Sequence, residues 1–335
     1  MNYIGSKNRM SGFLLGTVRD IVGDDLSGKT FCDLFAGTGA VGNALKPHVR
    51  QVIANDLEHY SFVLNRNYIG NCTPIPDAKF LISELNDLPP VQDGLIYQNF
   101  CLGSGSGRQY FSDENGQKID AMRQAIERWH QQSEIDDDCY YFLICSLLEC
   151  ADRLANTASV YGAFLKRLKP MAQKKLILSP ADFICTSQQN PVHHADANDL
   201  IGHITGDILY LDPPYNVRQY GANYHILNII SEYKPLVFKG KTGIHRYRRS
   251  RYCSRVKVFP AFEELIAQAQ FPYICLSYNN EGLLSPELIR KTMEKYGRYD
   301  CISMRHQRFK ADNDLNRAHH AHNTTEYIHV LFKQG

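Results

Sequence analysis

With 335 residues, 44% hydrophobic and 21% charged, the chain is long enough for one large domain or two and has the composition of an ordinary soluble globular protein. The longest apolar run, Cys139 to Leu148, is too short to cross a bilayer, which argues against a membrane partner and sets a cytoplasmic location as the expectation. The formal net charge is only +2, and the ten cysteines show no Cys-x-x-Cys pairing, which excludes a disulfide framework or a zinc site of the usual spacing and leaves no metal expected.

The chain opens with Met1-Asn2-Tyr3-Ile4-Gly5-Ser6-Lys7, followed by a helical pattern over Arg9 to Val22 in which Phe13, Leu14, Val18 and Ile21 share one face. Phe31-Cys32-Asp33-Leu34-Phe35-Ala36-Gly37-Thr38-Gly39 reads as a strand running into a glycine turn, with a helix over Ala40 to Lys46. A second strand, Gln51 to Leu57, carries Asp56, about 20 residues beyond the turn, where nucleotide-binding folds place a carboxylate on ribose hydroxyls. Together these make one βαβ unit suited to an adenosine-containing cofactor.

Between about Pro74 and Pro170 the α/β rhythm breaks. Helical patterns are expected over Ile119 to Gln132, Asp137 to Asn156 and Tyr161 to Leu168, so 74–170 reads as an inserted, mostly helical subdomain, with 1–73 and 171–335 forming the catalytic domain. The sheet is expected to resume near Leu176-Ile177-Leu178 and again at Val192 to Asp196. Asp196 has two readings, a contact to a cofactor's adenine amine or an N-cap for a helix over Ala197 to Ile201.

Ile208-Leu209-Tyr210-Leu211-Asp212-Pro213-Pro214-Tyr215 is an apolar strand stopped by two prolines. That leaves Asp212 and Tyr215 at a strand's carboxyl end, where open α/β sheets build their sites. The purine exocyclic amine is a poor nucleophile because its lone pair is delocalised into the ring. An aspartate carboxylate and a proline-fixed carbonyl, each accepting one N–H, draw that nitrogen towards tetrahedral geometry, and a tyrosine face can stack on an extruded base. A helix follows over Tyr224 to Ser231. Lys239 to Lys257 then holds eight Lys and Arg and no acid, whereas Ser112 to Asp152 holds ten acids and three bases. Such segregation fits either a solvated loop or a phosphate contact, with Arg246, Arg248, Arg249 and Arg251 as nucleic-acid-binding candidates. A strand over Tyr273 to Asn280, a helix over Pro286 to Lys295, and a late antiparallel hairpin near Tyr299 to Met304 and Glu326 to Phe332 complete the pattern; His319, His320 and His322 fall in its linking loop.

In this order the motifs resemble the Dam-like, α-class adenine-specific (N6) DNA methyltransferases, which use S-adenosyl-L-methionine. The resemblance covers most of the chain and rests on Tyr3-Ile4-Gly5-Ser6-Lys7, Asp33 to Gly39, Asp56, Asp196 and Asp212-Pro213-Pro214-Tyr215. It implies an α/β, Rossmann-like sheet with a reversed final strand and a target-recognition role for the insert. For the cofactor it implies contacts from Tyr3, Lys7, Asp33, Phe35, Gly37, Gly39, Asp56, Asp196 and Asp212. It further implies that Asp212 and the Pro213 carbonyl bind the target amine beside Pro214, that Tyr215 stacks on the base, and that Ser277-Tyr278-Asn279 lines the target pocket. The expected activity is methylation of a flipped-out adenine in double-stranded DNA by a bacterial or phage-encoded protein, with a separate cognate restriction endonuclease as a possible partner. Two other readings stay open, an RNA adenine methyltransferase and an inactive nucleic-acid-binding relative.

Overall fold

A computed structural model describes residues 11–307 and 323–334. Tyr3, Lys7 and the histidines at 319, 320 and 322 lie outside the described residues. In chain order the elements are α1 (Ser11–Val22), β1 (Thr30–Asp33), α2 (Ala40–Leu45), β2 (Gln51–Asn55), α3 (His59–Asn65), α4 (Ala78–Asp87), α5 (Leu95–Phe100), α6 (Asp113–Gln131), α7 (Asp137–Leu154), β3 (Val192–His193) and α8 (Ala197–Ile201). There follow β4 (Ile208–Leu211), α9 (Tyr220–Asn223), α10 (His225–Glu232), α11 (Val258–Gln268), β5 (Tyr273–Asn279), α12 (Pro286–Met293), β6 (Gly297–Gln307) and β7 (Asn323–Lys333). They fall into two compact units, each with its own core.

Among the described residues the sheet unit takes 11–57, 190–219, 249–307 and 323–334. Seven strands lie in the order β3-β2-β1-β4-β5-β7-β6. The pairs β3–β2, β2–β1, β1–β4 and β4–β5 are parallel, whereas β7 runs antiparallel to both β5 and β6. The expected late hairpin is therefore present, with its reversed strand one place in from the sheet edge. Both β1 and β4 are buried along their whole length, β4 as its apolar sequence requires and β1 with Thr30 and Asp33 buried at its two ends. With a side-chain period of two, Cys32 and Leu34 share a face with Leu209 and Leu211, and that face packs on Ile201, Phe262, Leu265 and Ile289. On the opposite face the Phe31 and Tyr210 rings stack with centroids 6.2 Å apart.

The helical unit takes its residues from 58–189 and 220–248. It is larger than the expected insert, because α3 and α10 join α4 to α7 around one core that includes Tyr60, Leu64, Phe100, Leu143, Leu147, Ile226 and Ile230. The continuously apolar helix α7 is buried on more than one face and is capped by Asp136, whose side chain accepts from the Cys139 N–H at 2.9 Å.

Two expected elements do not form. Leu176-Ile177-Leu178 forms no strand and pairs with none among the described residues; Asn115 Oδ1 accepts from the Leu176 N–H at 2.9 Å, and Asn86 Oδ1 accepts from the Leu178 N–H at 2.8 Å. Tyr161 to Leu168 is not helical; the Asn156 carbonyl accepts from the Leu165 N–H and its amide donates to the Leu165 carbonyl, each at 2.9 Å. Among the described residues no helix is long and apolar enough to cross a membrane.

Candidate active site

The carboxyl ends of β2, β1 and β4 lie side by side in the sheet unit. At β1 the chain direction splits, since the next strand in sequence lies on one side and β4 on the other, the position at which open α/β sheets leave a crevice. The glycine turn leaves β1 on one flank of that point, and Asp212-Pro213-Pro214-Tyr215 leaves β4 on the other.

Gly37 has φ 53° and Gly39 has φ 78°, in the left-handed region that side-chain-bearing residues seldom occupy, so the turn needs glycine at both positions. The turn is tied down from both neighbours: the Leu34 N–H donates to the Tyr210 carbonyl at 3.2 Å and the Ala36 N–H to the Asn55 carbonyl at 2.9 Å. Asp56 Oδ2 accepts from the Gly37 N–H at 2.8 Å. One segment farther out, His194 to Asp196 is stitched to the end of β2, because Asn55 Nδ2 donates to the Ala195 carbonyl at 3.2 Å and Asn55 Oδ1 accepts from the Ala195 N–H at 3.0 Å.

Asp33 is only 1% exposed and holds the first turn of α2, its Oδ2 accepting from the Gly42 N–H at 3.2 Å. Its Oδ1 has no hydrogen-bond partner among the described residues. Burial raises the Asp33 pKa to about 8; the charge of Asp212, and more weakly that of Asp56, pushes the same way, against the Gly42 bond. Three carboxyl groups thus meet at the ends of three adjacent strands.

Pro213 is buried, while Asp212, Pro214 and Tyr215 are half-buried. The Tyr215 carbonyl accepts from the Leu283 N–H at 3.0 Å. The turn after β5 is closed by the residues expected to line the target pocket: Tyr278 Oη accepts from the Leu283 N–H at 3.1 Å, and Asn279 Oδ1 accepts from the Glu281 N–H at 3.0 Å. Ser277, Tyr278 and Asn279 are all buried.

A family model for D12 class N6 adenine-specific DNA methyltransferases matches residues 3–292. The chain belongs to that family. It is 59% identical to the Type II methyltransferase M.NlaIII of Neisseria lactamica over 333 residues, which cover 99% of each chain. It is also 33% identical to the Type II methyltransferase M.CviAII of Paramecium bursaria Chlorella virus 1, over 93% of each chain. The Type II methyltransferase M.FokI of Planomicrobium okeanokoites is 34% identical over 99% of this chain but only 53% of its own length.

For this DNA methyltransferase the arginine candidates divide. Arg246, Arg248 and Arg249 are exposed and make no ion pair with another described residue. Arg251 is committed elsewhere: its Nη2 donates to Asp196 Oδ1 and its Nη1 to Glu264 Oε2, each at 3.0 Å. Asp196 also caps α8, its Oδ1 accepting from the Asn198 N–H at 3.0 Å, so the N-cap reading of Asp196 describes the fold. Sequence reading gave Asn55 and Asn198 no role and took Tyr252 only as an aromatic interleaved in the basic run. Tyr252 donates to Asn198 Oδ1 at 3.0 Å and meets the Phe35 ring edge-on at 4.9 Å between centroids. An asparagine just beyond Asp196 and a tyrosine inside an arginine-rich run carry no spacing signal that sets them apart.

Proposed function

We propose that the chain transfers the methyl group of S-adenosylmethionine to the N6 amine of an adenine flipped out of duplex DNA, as the modification partner of a separate restriction endonuclease. The observation that carries this reading is Asp212-Pro213-Pro214-Tyr215 at the end of β4, beside the glycine turn, in a chain of the adenine-N6 family. The residues around the turn fit the cofactor. Left-handed Gly37 and Gly39 leave the backbone approachable, and the neighbouring carboxyls of Asp56 and Asp212 suit a ligand bearing a sulfonium and an ammonium, whereas burial keeps Asp33 protonated so that it holds the turn without adding charge. When bound, S-adenosylmethionine supplies an electrophilic methyl carbon.

The chain's own part is orientation and electrostatics. The Asp212 carboxylate accepts one N–H of the target amine and the Pro213 carbonyl accepts the other, which concentrates the nitrogen lone pair on one side. Fixed proline φ angles aim that carbonyl before the base arrives, so little reorganisation accompanies the reaction. Tyr215 supplies a stacking face for the extruded ring. Asp56 would hold the ribose hydroxyls and Asp196 the cofactor's adenine, with Phe35 along the same wall. The exposed Arg246, Arg248 and Arg249 would neutralise phosphates.

Single-molecule sequencing of DNA from a methylation-free bacterial host expressing the chain tests this reading. N6-methyladenine confined to one sequence motif is the expected result. Unmodified DNA alongside methylated adenine in ribosomal RNA would transfer the assignment to RNA. Asp212→Ala is expected to lose methyl transfer by at least about a thousandfold while cofactor binding stays measurable, and retained turnover would remove Asp212 from the mechanism.

A further inference from the structure

The short turn Ser250–Cys253 touches three separate parts of the sheet unit. Arg251 bonds Asp196 and Glu264, and Glu264 Oε2 in turn accepts from Asn198 Nδ2 at 2.9 Å. Tyr252 is buried, bonds Asn198 and braces the half-buried Phe35. Ser250 and Gln219 exchange two bonds, the Ser250 N–H to Gln219 Oε1 at 2.8 Å and Gln219 Nε2 to the Ser250 carbonyl at 3.3 Å, while the Cys253 thiol donates to the Arg218 carbonyl at 3.3 Å. The turn therefore joins the Asp196 segment, the aromatic of the glycine turn and the stretch that follows Tyr215.

The distribution of bonds on Asp196 carries the argument. Both the Asn198 N–H and the Arg251 guanidinium fall on Oδ1, and Oδ2 accepts no bond among the described residues. A carboxylate held through one oxygen by a backbone N–H and a two-pronged guanidinium has a fixed plane, because Arg251 is itself anchored at its other nitrogen by Glu264. Half-exposed ion pairs add little to folding stability, so the network is better accounted for by the orientation it imposes than by the stability it adds.

We infer that Arg251 is a positioning residue for the adenine end of the cofactor, holding Asp196 so that Oδ2 is reserved for the exocyclic amine while Tyr252, next to it, fixes Phe35. This assignment rests on the S-adenosylmethionine reading of the site and takes Arg251 out of the phosphate-contacting set. It also makes Asp196 two things at once, the cap of α8 through one oxygen and the base-reading acceptor through the other.

Calorimetric titration of the full chain with S-adenosylhomocysteine and with S-inosylhomocysteine, in which a ring oxygen function replaces the exocyclic amine, tests the inference. The wild type is expected to prefer the adenosyl compound by about tenfold or more. In Arg251→Met the preference is expected to fall to within about threefold, and Arg251→Lys is expected to restore part of it. A variant that merely loosens the fold lowers both affinities together; an Arg251→Met protein with the wild-type ratio overturns the inference. So does a lower salt slope of DNA binding in Arg251→Met, which would return the residue to the phosphate. If the wild type binds neither compound, the cofactor reading itself fails.

Discussion

The carboxyl of Asp33 lies between the ends of β2 and β4, and burial there, with the charge of Asp212 next, raises its pKa from 3.8 to about 8. The unfolded chain releases this proton near pH 4, whereas the native protein keeps it until about pH 8. Between those values the native state binds more protons than the unfolded one, so the contribution of Asp33 to stability is complete below pH 4 and is lost as pH rises towards 8. Asp33→Asn keeps an oxygen for the Gly42 N–H and abolishes the titration. Thermal unfolding from pH 5 to pH 8 should show the wild type losing stability relative to Asp33→Asn, by up to about 1.4 kcal/mol per pH unit. Parallel pH profiles for the two proteins would mean that Asp33 is ionised in the native state.

Among the elements, α5 depends on a residue from another helix. Asp120, in the middle of α6, accepts from the Ile96 N–H at 2.8 Å, from the Tyr97 N–H at 2.7 Å and from the Tyr233 hydroxyl at 2.6 Å. It thus satisfies two N-terminal donors of α5, which no cap of its own serves. The approach is so close that a Cβ on Gly94 would lie 2.1 Å from Asp120 Cγ. Asp120→Ala leaves buried donors without acceptors and should destabilise the protein by roughly 3 kcal/mol, read as a shifted denaturant midpoint at unchanged slope. A loss below about 0.5 kcal/mol would show that water replaces the carboxylate.

The same scale explains which elements could be read in advance. The strands β1, β2 and β4 were legible because each run ends in an acid, with a glycine turn or prolines close behind, β5 because its apolar run ends in two asparagines, and α7 because its apolar face is so wide. Leu176 to Leu178 has the composition of a buried strand, yet side-chain amides of Asn115 and Asn86 take the place of a neighbouring strand's backbone. Asn156 likewise organises residues 165 and 169 into a loop where a helix was expected. Apolar periodicity reports burial and not the partner of a backbone N–H, so these asparagines were invisible. At the site, Asp56 and Asp212 were legible as acids at strand ends, whereas the pairing of Arg251 with Asp196 joins residues 55 apart that no local pattern connects.

Across the whole molecule, the basic run passes from one compact unit into the other between Arg248 and Arg249. If it follows a phosphate backbone, Arg246, Arg248 and Arg249 act together and Arg251 does not. The triple alanine variant should bind duplex DNA more weakly at low salt and show a logarithmic salt slope smaller by about 2 to 3. Unchanged slopes in equilibrium titrations from 50 to 200 mM salt would make the run a solvated surface.

The place of β4 beside β1 also dictates an order of events at the ribosome. The Thr30 N–H donates to Asp207, 177 residues farther along the chain. The first strand and its glycine turn therefore leave the exit tunnel long before the strand that completes the sheet's centre, and α3 to α7 of the helical unit are made in between, while α10, which completes that unit, follows β4. At ordinary elongation rates of roughly 5–20 residues per second, the apolar edge of β1 waits on the order of ten seconds or more for its partner. Yield in a host should accordingly depend on translation speed between β2 and β4 and on chaperones that shield unpaired strands, more than on the equilibrium stability of the finished protein.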